Sequence, residues 1–183
     1  MASTFIEILS VFDTQTILKD YAPPANPTPS SPIGLPHPSG GPYKYMFMVA
    51  KDANTISGQA TGNLSIRANV NDQVQWRSAS LSDNGAQSAI IYKIQKNGSG
   101  ADVLKLPPEV NVTYPYVPVP DESDPTKYKA TEVPDYFLSS LVRRTGVENY
   151  LVYFYITDIV NGKLKTLGYY YWDPAITVDP PTT

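Results

Sequence analysis

The sequence predicts an all-β protein: a β-sandwich of jelly-roll or lectin-like type, with long proline-rich loops and one or two short helices. Three observations predict it. Proline takes 18 of the 183 positions, about twice its usual share of roughly 5%. Tyrosine takes another 14. Short runs of alternating apolar and polar residues recur, separated by Asn, Asp and Gly. Helix interiors reject proline, which lacks an amide hydrogen, and disfavour aromatic side chains. Sheet edges, turns and strands accept both. The length suits one domain, residues 1–183.

The elements follow in order. Residues 3–12 read as an apolar strand. Asp13 is placed to cap a short helix over TQTILKD. The chain from Ala22 to Pro42 is too rich in proline for helix or central strand, and reads as a loop lying against a sheet. KYMFMVA at 44–50 is a buried strand, and Asp52–Asn54 turns the chain into a short TISG segment. In LSIRANV, Leu64, Ile66, Ala68 and Val70 are expected inward, with Ser65, Arg67 and Asn69 outward. QVQWRSASL follows after a turn at Asn71-Asp72, with Val74 and Trp76 on its core face. SAIIYKIQK is the next strand. NVTYPYVPVP is expected at a sheet edge, because its prolines have no ladder donors. The segment from Asp135 to Gly146 reads as a helix: Asp135 caps it, Phe137, Leu138, Leu141 and Val142 form an apolar stripe, and Gly146 ends it.

The C-terminal hairpin is the strongest local signal. ENYLVYFYITD and KLKTLGYYYWD flank Asn161-Gly162, a type I′ turn sequence. Counting from that turn, Val160 meets Lys163, Asp158 meets Lys165, Ile156 meets Leu167, Phe154 meets Tyr169 and Val152 meets Tyr171. The other face then carries Tyr153, Tyr155, Tyr170 and Trp172, with Gly168 leaving a notch opposite Tyr155. Both faces are apolar, so the second also needs covering. Internal packing, a second subunit and a ligand are the three alternatives.

Several function classes are excluded. There is no cysteine, hence no disulfide, thiolate metal site or cysteine nucleophile. The single histidine, His37, excludes multi-histidine metal sites. A net charge of −3 gives no footprint for nucleic acid. No apolar run is long enough to insert in a membrane as a helix. The first residues, MASTFIEILSVFD, lack the basic start of a signal peptide. A cytoplasmic protein is expected, with non-classical release left open. Phosphate-binding glycine loops are absent, and the glutamates lie on separate segments, so the chain is expected not to be an enzyme.

Four segments carry a resemblance to a known family: FIEILSVFDTQTILKDY, YMFMVA with ISGQATGNLSIRANVNDQVQWRSAS, SAIIYKI, and TGVENYLVYFYITD with GYYYWDPAITV. In order and spacing they resemble the bacterial inclusion-body proteins of the PixA/AidA family, across nearly the whole chain. The resemblance implies an abundant β-sandwich protein of host-associated bacteria that accumulates in inclusions. A fainter similarity connects the ITD ending at Asp158 with calcium-dependent, galactose-binding lectins of the LecA type.

That resemblance implies a carbohydrate-binding protein, with glycans of galactose type as partners and calcium as a cofactor. Sugar binding needs an aromatic face and planar hydrogen-bonding groups, and calcium needs about six to eight oxygens. The candidates for carbohydrate contact are Trp172, Asp83, Asn84 and His37. Those for the metal are Asp158, Asn161 and Asp83. Asp and Asn are also ordinary turn residues, and Asp158 has a cross-strand lysine to pair with. The alternative function is a non-catalytic storage or structural protein that self-assembles. Its homo-oligomer contact would be the hairpin face with Tyr153, Tyr155 and Tyr170.

Overall fold

The structure is a computed structural model that describes residues 3–36, 44–82 and 86–179. In chain order its elements are β1 (Phe5–Asp13), α1 (Thr14–Asp20), β2 (Ile33–Gly34), β3 (Met46–Ala50), a single turn of 3-10 helix (Asp52–Asn54), β4 (Thr55–Ser57), β5 (Leu64–Arg67), β6 (Gln73–Leu81) and β7 (Ser88–Lys96). Then follow β8 (Glu109–Thr113), β9 (Tyr116–Pro120), β10 (Tyr128–Glu132), β11 (Asp135–Leu141), β12 (Gly146–Val160), β13 (Lys163–Trp172) and β14 (Ala175–Asp179). The described chain is therefore all-β with one short helix.

Two mixed sheets carry the core. The first runs β3-β1-β6-β11-β8, with β1 and β6 parallel. The second runs β2-β13-β12-β14-β5-β4, and β7 also pairs with β12. A third sheet is only the β9–β10 hairpin. In β1 the period of two is plain: Ile6, Ile8 and Phe12 are buried while Phe5 and Leu9 point out. The inward rows of the two sheets meet ring to ring. Phe12 of β1 lies 4.3 Å from Phe154 of β12 and 5.3 Å from Trp172 of β13. Trp76 of β6 lies 6.3 Å from Tyr150 of β12. Asp13 caps α1 by accepting from the Thr16 amide at 3.0 Å, and Ile17 plugs the helix into the core. Leu35 is buried, and its amide donates to the Tyr171 carbonyl at 2.8 Å, which fastens the chain after α1 to β13.

Three expectations are corrected. Residues 135–141 form the strand β11, not a helix. Its apolar stripe fits helical spacing, but four consecutive residues from Phe137 to Ser140 are buried and both edges are paired, to β6 and β8. The two buried serines have partners: Ser140 donates to the Lys105 carbonyl and Ser139 accepts from Asn111. Asp135 grips Arg77 instead of capping. Val70 is 49% exposed, because β5 ends at Arg67 and Val70 sits in the turn before β6. NVTYPYVPVP does lie at sheet edges, but as two strands, β8 and β9, rather than one.

The hairpin register is the most consequential correction. At the tip it is as the turn predicts: Asn161 and Gly162 both have positive φ, 53° and 73°, and Asp158 faces Lys165. The pairing then shifts, for Thr157 faces Thr166 while Ile156 faces Gly168. Leu167 is the extra residue of a β-bulge. A one-residue slip turns every later side chain to the opposite face. Phe154 therefore faces Tyr170 and Val152 faces Trp172, and all four are buried. Tyr169 and Tyr171 turn outward. Gly168 leaves no notch, because the Tyr170 ring folds over it: a Cβ on Gly168 would stand 2.7 Å from that ring.

The Tyr170 ring has nowhere to retreat. It stacks on Phe154 at 5.6 Å, and its hydroxyl donates to the Tyr21 carbonyl at 3.0 Å. Gly168→Ala should therefore destabilise the protein by about 1–3 kcal/mol, the usual cost of overfilling a packed core. Urea unfolding followed by tryptophan fluorescence measures this, and an unchanged midpoint would contradict the placement of Tyr170.

Candidate functional site

The outward side of β7, β12 and β13 is a cluster of five tyrosines. Tyr153 and Tyr155 come from β12, Tyr169 and Tyr171 from β13, and Tyr92 from β7. A second bulge places Tyr92: Tyr153 faces Lys93 and Phe154 faces Ile91, leaving Tyr92 extra. Ile91 and Ile94 are both buried, so two outward residues stand where strict alternation allows one. The Tyr92 ring lies 5.9 Å from both Tyr155 and Tyr169 and 6.2 Å from Tyr153. Tyr153 lies 5.5 Å from Tyr171.

Polar groups rim the cluster. Gln95 donates to the Tyr153 hydroxyl at 2.9 Å, and the Lys93 ammonium sits 4.6 Å above the Tyr153 ring. The Tyr171 ring covers Gly34 of β2, where a Cβ would stand 2.7 Å from its hydroxyl. Tyr136 of β11 donates to the Ile91 carbonyl at 2.9 Å. The five rings are half-buried. Burial raises the phenols of Tyr92, Tyr153, Tyr155 and Tyr136 above their ordinary value. They stay neutral at physiological pH, so the surface offers apolar area and hydrogen bonds rather than a nucleophile.

The sequence candidates fall in different places. Trp172 is 3% exposed, packed on Phe12 and Phe154, so it presents no ring for a sugar to stack on. Tyr170 is fully buried, and that burial pushes its phenol up to about 12, so it cannot meet a partner subunit. The Leu167 bulge sent both residues inward. Tyr153 and Tyr155 do lie on the outer face. Asp158 accepts from the Ile159 amide at 2.6 Å and from Gln87 at 3.4 Å. It faces Lys165 in register without an ion pair among the described residues. Asn161 stands at the exposed hairpin tip. His37, Asp83 and Asn84 lie outside the described residues.

Among the described residues, no three His, Asp or Glu side chains converge as metal ligands, and Lys163 and Lys165 flank Asp158 and Asn161. Three other turn carboxylates accept from backbone amides. Asp72 accepts from the amides of Thr4 and Asn69 at 2.9 and 2.7 Å. Asp121 and Asp124 accept from the amides two residues onward.

Two groups escaped sequence reasoning. Arg77 holds Asp135 at 2.7 Å and Glu7 at 3.2 Å, and lies 4.5 Å over the Phe137 ring. Glu148 is 1% exposed. One carboxylate oxygen accepts from the Leu104 amide at 2.7 Å, and the other is buried with no partner. Its place two residues before Tyr150 and four before Val152, on the inward row of β12, was the signal available. Its work is to anchor the Val103-Leu104 segment.

The model of the PixA family, described as inclusion body protein, matches residues 4–178. Among solved structures, the crystal structure of an inclusion body protein, PixA, from Burkholderia cenocepacia J2315 superposes with a TM-score of 0.78. The two are 24% identical, and the alignment covers 98% of each chain. That likeness establishes the fold. No curated protein matches the sequence.

Two predictions follow from buried groups. The Tyr92 hydroxyl is buried with no hydrogen-bond partner, and a lone buried donor costs about 1–3 kcal/mol. Tyr92→Phe should thus hold or raise the stability in urea unfolding, and a loss beyond about 1 kcal/mol would show that the hydroxyl is bonded. Burial raises the Glu148 carboxyl above its ordinary value of 4.5. The folded state then holds that proton more tightly than the unfolded chain. The stability owed to Glu148 is therefore greatest in acid, declines as pH rises through the raised value, and stays low above it. Glu148→Gln should remove this decline, so the variant gains on the parent between acid and neutral pH. Parallel stability profiles across that window would contradict it.

Proposed function

The chain belongs to the PixA inclusion body protein family, and we propose that it is a non-catalytic protein that accumulates in intracellular inclusions by association of folded copies. The family match over residues 4–178 carries this reading. Surface chemistry supports it. The exposed apolar side chains include Val110, Val112, Tyr114, Tyr116 and Tyr128, more than scattered surface hydrophobes. Among the described residues no helix is long and apolar enough to cross a membrane. The reading extends to a single domain over residues 1–183, with the two large sheets as the layers of a β-sandwich around Phe12, Trp76, Phe154 and Trp172. Sugar binding loses Trp172 to the core, so homotypic association is the stronger reading.

Assembly of folded chains differs from aggregation of unfolded ones in how it reverses. Granules recovered by gentle lysis should dissolve by dilution, without denaturant. The dissolved protein should show the near-ultraviolet dichroism of packed aromatic rings. In sedimentation velocity it should associate as concentration rises. A protein that stays monomeric at all concentrations, or that leaves the granules only in denaturant, would overturn the proposal.

A further inference from the structure

The β9–β10 hairpin is an arm. It leaves the body after Thr113, returns at Asp135, and its strands pair only with each other. An isolated two-stranded hairpin is marginal in water. One of its faces is nonetheless apolar and open. Tyr116, Pro118 and Pro120 of β9 lie beside Ala130 and Tyr128 of β10, and all five are exposed. Tyr116 and Tyr128 are 71% and 72% exposed. The exposed apolar residues continue along the chain through Tyr114 to Val112 and Val110 on β8, the edge strand of the first sheet.

The ladder shows how such an arm can bind. Asp121 donates to the Lys127 carbonyl and Val133 donates to the Pro115 carbonyl, so the odd-numbered residues of β9 face β10. The backbone nitrogens of Pro118 and Pro120 therefore lie along the free edge, where they offer no hydrogen. That edge cannot recruit another strand. On the β9 side, contact therefore comes through the side-chain face.

We propose that this face of the arm docks on the same face of a second copy of the chain. The inference rests on the assembly reading above and names its surface. Tyrosines carry about 150–250 Å² each, so the exposed apolar residues from Val110 to Tyr128 leave on the order of 600 Å² open. That reaches the top of the roughly 300–600 Å² typical of the largest patch on a monomer. It also approaches the roughly 800 Å² that each partner gives to a stable interface. The face is self-complementary: two tyrosine rings flank two prolines, so each ring of one copy can lie on a proline of the other. Of the six residues in its three facing pairs, only Glu132 is charged, so two copies meet with little repulsion. A two-fold contact is the expected symmetry.

The test uses the full chain. In sedimentation equilibrium, the double variant Tyr116→Ser with Tyr128→Ser should associate at least tenfold more weakly than the parent, with its melting temperature kept. An unchanged constant would overturn the proposal. A second measurement guards against altered folding. The chain has no cysteine, so Glu132→Cys, which faces Tyr116 and leaves both rings in place, supplies a unique thiol on the arm, and a short bis-maleimide should join two copies. Ser30→Cys, also exposed, serves as the control, and equal yields from both would overturn the proposal. A parent that never associates removes the assembly reading and this one together. A parent that associates while the arm variants associate equally removes only the arm.

Discussion

The inward row of β12 holds the protein together. Tyr150, Val152, Phe154 and Ile156 are completely buried, and through Phe154 and Tyr150 they touch Phe12 and Trp76 of the opposing sheet. Three strands use the same backbone: β13 and β7 along its C-terminal part, β14 at its start. A strand in this position cannot shift register without undoing both its ladders and its packing. The neighbours adjust instead, and both β7 and β13 carry a bulge where they meet it.

This division of constraint explains what was legible in the sequence. Apolar character located β1, and alternation located β5, whose Leu64 and Ile66 are buried, and β6, whose Val74 and Trp76 are. Asp13 and its helix were legible because capping is local chemistry. Asn161-Gly162 fixed the hairpin tip for the same reason. β11 was read as a helix because a strand covered on both faces loses its alternation, and the serines at its centre mimic a helix's polar side. The Leu167 bulge was invisible, since a register shift is decided by what Tyr170 can pack against: the bare Gly168 and the ring of Phe154. Everything on the outer face depended on that shift. Tyr153 and Tyr155 were placed outward correctly, while Tyr170 and Trp172 exchanged places with Tyr169 and Tyr171.

The candidate site was therefore half legible. Tyrosine abundance pointed to an apolar outer surface, but which rings form it was a tertiary question. The polar candidates show the reverse. Asp72, Asp121, Asp124 and Asp158 are conspicuous in sequence, yet their oxygens are taken by neighbouring amides. Glu148 and Arg77 looked ordinary, yet Glu148 is buried against the Leu104 amide and Arg77 ties Asp135 to Glu7. Position on the inward row of a long strand said more about a carboxylate than its presence in a turn.

The two bulges also bear on how the chain tolerates a change of length. Deleting the single codon for Leu167 would restore strict pairing and leave Gly168 to Trp172 on the faces they hold now, because each keeps its partner on β12. One residue more or fewer beside β12 is thus taken up in a bulge, and the inner and outer residues of the scaffold stay where they are. Alignments that treat such gaps as noise will pair residues that point in opposite directions.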